Sequence, residues 1–78
     1  MSVKEIIDWW DPIDLISHAP GDEYHSEVEK VEDLLRITKD HEVIADGILT
    51  IFLNDFGEDV FKKPKQDCIE IANKILSA

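Results

Sequence analysis

The sequence has almost no cysteine: Cys68 is the only one among 78 residues. One cysteine cannot form a disulfide within the chain, and it cannot by itself supply the thiolates of a structural zinc site. The apolar spacing around Cys68 predicts that it lies on the buried face of a helix, where burial raises the pKa of a thiol and makes it inert. We therefore expect neither a covalent cross-link nor a cysteine nucleophile.

Basic residues are also few: the chain has eight Lys and Arg and eighteen Asp and Glu, which gives a net charge of −10. A chain this negative repels the phosphate backbone, so nucleic acid is excluded as an expected partner. The charge is uneven: residues 1–35 hold ten acids and two lysines, whereas residues 36–78 hold eight acids and six bases. This acidic half either attracts a basic protein or serves only solubility.

Long apolar runs and clustered glycines are missing as well. No stretch is long and apolar enough for a membrane-spanning helix, and residues 1–7 carry charges where a signal peptide would be apolar, so we expect a cytoplasmic protein without a membrane partner. The three glycines, Gly21, Gly47 and Gly57, each stand alone, which leaves no phosphate-binding loop.

Hydrophobic residues make up 44% of the chain, and they recur at helical spacing. The chain is short enough for a single domain over residues 1–78. The pattern predicts an all-α fold, a small bundle of four helices near residues 2–10, 22–39, 41–56 and 64–76. The predicted core consists of Val3, Ile6, Ile7, Trp10, Tyr24, Val28, Val31, Leu35, Ile44, Ile48, Ile51, Phe52, Cys68, Ile71, Ala72 and Ile75.

Local signals set the predicted helix ends. Ser2 and Glu5 have capping-box spacing, Asp11-Pro12 ends the first helix, and Gly57 ends the third. A second helix that begins at Ser26 is an alternative, and it would leave Tyr24 outside.

Three runs of residues carry a resemblance to a known family. Trp10-Asp11-Pro12-Ile13 is followed by Gly21-Asp22-Glu23-Tyr24 and then by Ser26-Glu27-Val28-Glu29. Together they resemble the YugE-like domain of unknown function, a small family of Gram-positive bacterial proteins, and the segments Phe52 to Gly57 and Cys68 to Leu76 look like its C-terminal half. The resemblance implies a compact helical domain and supplies no catalytic residue, cofactor or partner.

The first functional hypothesis is a non-enzymatic protein-binding module whose partner is a protein, a basic one being the expected class, as for an inhibitor or immunity protein. Trp9 lies off the core stripe and either covers the loop from Ile13 to Ile16 or anchors a partner. Asp55 is a misfit within the third helix stripe, either solvated, paired with a lysine of residues 62–65, or contacting a partner. The candidate partner-binding residues are Trp9, Asp14, Glu23, Glu27, Glu29 and Asp55.

The alternative hypothesis is a metal-binding protein that uses the acids and histidines flanking one loop. These are Asp11, Asp14, His18, Asp22, Glu23 and His25. Neither HExxH nor EF-hand spacing is present, His25 departs from the residue that the family resemblance leads us to expect, and Asp11 and Asp22 also fit the role of helix caps. We therefore expect no metal and no cofactor in the candidate site. Acid and base catalysis by paired carboxylates needs a cleft that so small a bundle seldom has, so we name no catalytic residue.

Overall fold

The computed structural model describes residues 2–13 and 24–77, which form four α-helices. Helix α1 spans Val3–Trp10, α2 spans His25–Ile37, α3 spans His41–Phe56 and α4 spans Lys65–Ser77. The described residues include no strand, so the prediction of a small all-α bundle is confirmed. None of these helices combines the length and the apolar character needed to cross a membrane.

Side-chain caps fix the starts of α1 and α3. The Ser2 hydroxyl accepts from the Glu5 amide at 3.1 Å while the Glu5 carboxylate accepts from the Ser2 amide at 2.9 Å, which confirms the predicted capping box. Asp40 accepts from the Glu42 amide at 2.9 Å and so satisfies an amide that has no partner inside α3. Gly57 ends α3 as predicted, at a φ of 83° that glycine adopts without strain.

The predicted start of α2 at residue 22 is wrong. The helix begins at His25, within one residue of the alternative start at Ser26, and Tyr24 precedes it without a side-chain cap bond. Tyr24 is still buried because it packs its ring into the core from outside the helix. Helix α2 also ends two residues earlier than predicted, and Pro64 precedes α4 instead of opening it.

The four helices form a closed ring, in which α3 packs against α2 and α4 and α1 packs against those same two helices. The ring of Phe52 on α3 lies at the middle of an aromatic cluster, with centroids 5.2 to 5.9 Å from four other rings. Those rings belong to Trp10, Tyr24, Phe56 and Phe61. Five of the six aromatic residues of the chain thus hold the helices together, and Trp9 is the exception.

Every predicted core residue belongs to the buried cluster or packs against it; twelve are buried, and Val3, Trp10, Leu35 and Ile51 are half-buried at its edge. Two members of the buried hydrophobic cluster were not predicted. Ala45 lies between the periodic positions of α3, and Phe61 lies in the connection between α3 and α4, where no helical period exists to reveal it.

Candidate functional site

One exposed side of α2 is strongly acidic. Glu29, Glu32 and Asp33 lie together there, and we call these three residues the acidic strip. Arg36 pairs with Asp33 at 2.7 Å, and Nε2 of His25 lies 2.9 Å from Glu29. Both pairs are exposed, so they add little to stability, and the strip keeps a net negative charge.

An apolar groove adjoins the acidic strip, between the C-terminal half of α2 and the first three turns of α3. We call it the α2–α3 groove; its volume is about 560 Å³, and its apolar lining consists of Leu34, Ile37, Val43, Gly47 and Ile51. Ile37 is 80% exposed and Val43 is 46% exposed, which is unusual for such side chains when nothing covers them. The remaining lining residues are Lys30, Asp33, Asp46 and Thr50, so Asp33 belongs to both the groove and the strip.

Gly47 sets how closely the two helices approach at this groove. A Cβ atom at position 47 would lie 2.1 Å from Cδ2 of Leu34, so the Leu34 side chain rests directly on the backbone of α3. Glycine inside a helix costs about 1 kcal/mol relative to alanine. Here it allows the contact that shapes the wall of the groove.

At the other end of α2, two carboxyl groups and one ammonium group form a cluster between α2 and α3. Nζ of Lys30 lies 2.9 Å from Oδ1 and 2.8 Å from Oδ2 of Asp55. The carboxyl of Glu27 is hydrogen-bonded to the same Asp55 side chain, and Glu27 is only 4% exposed. Asp55 therefore pairs with Lys30 and not with a lysine of residues 62–65, and of those lysines Lys65 pairs with Asp46 at 2.9 Å.

Burial raises the pKa of Glu27 to about 7, and the hydrogen bond with Asp55 adds to the rise. The same hydrogen bond, together with the Lys30 ammonium, holds the pKa of Asp55 below its usual value. The two shifts describe one arrangement, in which a protonated Glu27 donates to an ionised Asp55. The cluster thus shares one proton and one negative charge, balanced by Lys30.

A second link joins α1 to the start of α2. The Tyr24 hydroxyl donates to Oδ1 of Asp11 at 2.5 Å and accepts from the amide of Ile13 at 3.4 Å. Asp11 ends α1 in the left-handed conformation, with φ 43° and ψ 61°, so it is a C-terminal cap and not the N-terminal cap of a following turn.

Trp9 is 64% exposed, and Nζ of Lys74 on α4 lies 4.7 Å from the centre of its ring. A shallow depression of about 620 Å³ borders this pair, and charged residues of both signs line it, including Lys63, Asp67 and Glu70. Trp9 therefore lies on the surface on the side of α4. The predicted packing of Trp9 over the loop from Ile13 to Ile16 falls on residues that, after Ile13, lie outside the described part of the chain.

The four predicted partner-binding residues that the structure describes do not come together as one site. Asp14 and Glu23 lie outside the described residues, whereas Trp9 borders α4 and Glu29 belongs to the acidic strip. Glu27 and Asp55 lie together between α2 and α3, and Glu27, which was named as a candidate for contact with a partner, is buried because its carboxyl turns inward to Asp55. Assignment of these residues to partner binding remains a prediction.

The sequence reasoning missed the α2–α3 groove altogether. Ile37 falls outside the helical stripe of Val28, Val31 and Leu35, and Val43 precedes the stripe of α3. Ile37 and Val43 lie outside the apolar stripes of their helices, on either side of the connection at residues 38–40. These two residues were the sequence signal that could have indicated an exposed apolar groove.

Within residues 2–13 and 24–77, no group of three or more acidic, histidine or cysteine side chains is arranged to hold a metal ion. Asp14, His18, Asp22 and Glu23 of the metal hypothesis lie outside those ranges. Of the other two, Asp11 accepts from Tyr24 and His25 lies beside Glu29.

A scan against protein families matches residues 2–78 to the family described as domain of unknown function (DUF1871). The match covers nearly the whole chain, so the protein belongs to this family. No curated protein and no solved structure matches the chain. The resemblance to a family of unknown function is thus confirmed at that level, and the function must be argued from the site.

Proposed function

We propose that the protein is a non-enzymatic binding module whose partner is a basic protein, engaged through the acidic strip of α2. The observation that carries the proposal is the position of this strip beside exposed apolar side chains, since protein-binding surfaces combine an apolar centre with charged surroundings. The net charge of −10 adds a long-range attraction for a positive surface.

The proposal includes three expectations from the sequence: a single domain over residues 1–78, a place in the cytoplasm, and membership of the YugE-like group within the family. The last of these depends on the runs Trp10-Asp11-Pro12 and Asp22-Glu23-Tyr24. None of them requires a cofactor.

The test begins with co-purification of the tagged chain from its native cell and identification of the bound protein. Association rates of the purified pair are then measured from low salt to about 0.5 M, where the screening length falls to a few Å. Because charges at the edge of an interface act mainly on association, the rate should fall at least tenfold over this range.

A pair of charge reversals locates the effect. Glu29→Lys with Glu32→Lys alters the strip, and Glu58→Lys with Asp59→Lys makes the same change in net charge at exposed positions after α3. The strip variant should associate several-fold more slowly than the control variant. Equal rates for the two variants, or a rate independent of salt, would reject the acidic strip as the binding surface.

A further inference from the structure

The apolar side chains of the α2–α3 groove remain uncovered although the chain has a well-formed core elsewhere. Ile37 on α2 and Val43 on α3 line the groove with much of their surface in water, and Leu34 and Ile51 of the lining lie half-buried. Covering such side chains is favourable by about 25 cal/mol for each Å² removed from water. The groove therefore offers binding free energy that the acidic strip alone does not.

The dimensions of the groove suit a short helix. Its walls run from residue 30 to 37 on α2 and from residue 43 to 51 on α3, which at ~1.5 Å per residue is ~10 to 12 Å, or about two helical turns. A helix with apolar residues at positions i, i+3 or i+4, and i+7 presents a stripe of that length.

The backbone chemistry of the groove also favours a helix over an extended segment. The walls belong to α2 and α3, and apart from the helix ends, where the Val43 amide donates to Asp40, the amides and carbonyls of these walls are paired within their own helices. An extended segment placed there would lose water from its backbone groups without gaining partners, whereas a helix brings its own hydrogen bonds.

The charge around the groove indicates which residues should border the apolar stripe of the bound helix. Asp33 and Asp46 stand on opposite walls, and Glu29 and Glu32 continue the negative surface on the α2 side. Lys30, the one basic residue of the lining, is held by Asp55. Asp46 is paired with Lys65 and Asp33 with Arg36, so the net negative charge beside the groove lies on the α2 side, where Glu29 and Glu32 add to it. A second copy of this chain would bring another charge of −10 to the same surface, so a second copy is disfavoured by repulsion.

We propose that the α2–α3 groove binds an amphipathic helix of the partner protein, with the apolar stripe of that helix in the groove and basic residues on the side of the stripe that lies toward α2. This proposal rests on the proposed function, because it names the element by which a basic partner is held. It assigns the apolar contact to Ile37 and Val43 and the charged contacts to Asp33 and Glu32.

The test uses three synthetic peptides of about four helical turns. The first has a leucine stripe flanked by lysines, the second has the same composition with the stripe scrambled, and the third has the stripe flanked by glutamates. Binding to the full chain is measured by fluorescence anisotropy at low salt. The first peptide should bind at least tenfold more tightly than either of the others.

Two single variants test the location. Ile37→Ser removes an exposed apolar group from the groove, and Val60→Ser removes one that lies outside it, so neither change should disturb the core. Affinity for the first peptide should fall at least fivefold with Ile37→Ser and stay within twofold with Val60→Ser. Circular dichroism checks that both variants keep the helical content of the parent chain.

The other possible results distinguish failure of the groove proposal from failure of the proposed binding to a basic protein through the acidic strip. Equal binding of the striped and scrambled basic peptides, weakened by Glu29→Lys with Glu32→Lys, would overturn the groove and leave the acidic strip in place. Equal binding of the lysine and glutamate peptides would overturn the charged flanks. No binding of any peptide would overturn the helix as occupant, and concentration-dependent dimers that Ile37→Ser abolishes would assign the groove to a second copy.

Discussion

The phenol of Tyr24 donates a hydrogen bond of 2.5 Å to Oδ1 of Asp11, and so joins the residue that ends α1 to the residue that precedes α2. The bond fixes both ends of the connection between these helices, residues 12–23. Tyr24 is buried and its ring contacts Phe52, whereas Asp11 is half-buried. Asp11 of the Trp-Asp-Pro run is thus structural, and its partner is a residue thirteen positions along the chain.

Replacing Tyr24 by phenylalanine should lower the free energy of unfolding by about 1 to 2 kcal/mol, because a hydrogen bond to a charged acceptor is lost while the ring packing remains. Urea unfolding followed by tryptophan fluorescence measures the change. Asp11→Asn keeps a side-chain oxygen and a residue that tolerates the left-handed conformation, so it should cost less than Tyr24→Phe. A Tyr24→Phe midpoint equal to that of the parent chain would show that the bond contributes nothing.

Truncation of Ile48 to alanine should destabilise the fold by about 2 to 5 kcal/mol, since Ile48 is fully buried at the centre of α3 and its removal leaves a cavity. In a chain this small such a loss is a large part of the total stability, so much of the population should unfold. Thr50→Ala, at an exposed position two residues along α3, is the control and should change the melting temperature little. A melting temperature for Ile48→Ala within a degree of the parent would contradict the position of Ile48 in the core.

The helices were predictable because their buried positions repeat along the chain, as Ile44, Ile48 and Ile51 do on α3. Tyr24 continues the same spacing ahead of Val28 and Val31, which is why it was assigned to the helix. Its true position depends on Asp11, a contact between residues distant in sequence that periodicity cannot reveal. Local pattern therefore indicates which segments are helical better than it indicates where they start.

The candidate site was less predictable, for a related reason. A glutamate on a polar stretch of helix is normally exposed, and only the packing of α2 on α3 brings Glu27 against Asp55, 28 positions away. The α2–α3 groove likewise depends on how closely Leu34 approaches Gly47. Net charge could indicate an acidic surface, but it could not show which acids are buried.

The thiol of Cys68 should resist labelling by thiol reagents in the folded protein. It is fully buried, and burial, reinforced by the negative charges of Asp67 and Asp46, raises its pKa to about 11, so almost no thiolate is present at neutral pH. Labelling by a disulfide reagent should proceed only as the chain unfolds and should speed up sharply with urea or with Ile48→Ala. Rapid labelling in native buffer, at the rate of a free cysteine peptide, would contradict this burial.

Glu27 should make the protein less stable as pH rises from about 5 to 8. Its pKa is about 7 in the folded chain against an ordinary value of 4.5, so the folded state holds a proton that the unfolded state has released. The stabilisation is complete below pH ~4.5 and lost as pH passes ~7, a change on the order of 1 to 3 kcal/mol. The lowered pKa of Asp55 acts in the opposite sense, and its contribution is lost only in more acidic solution, below the usual range of aspartate titration.

Glu27→Gln tests this directly, because the glutamine amide can donate to Asp55 as the protonated carboxyl does but cannot ionise. The melting temperature of the parent chain should fall by roughly 5 to 15 °C between pH 5 and pH 8. Glu27→Gln should be nearly flat over that range and more stable than the parent at pH 8. Glu32→Gln, an exposed glutamate of the same helix, is the control and should retain the parent's pH dependence; a parallel fall in Glu27→Gln would assign the pH dependence to groups other than Glu27.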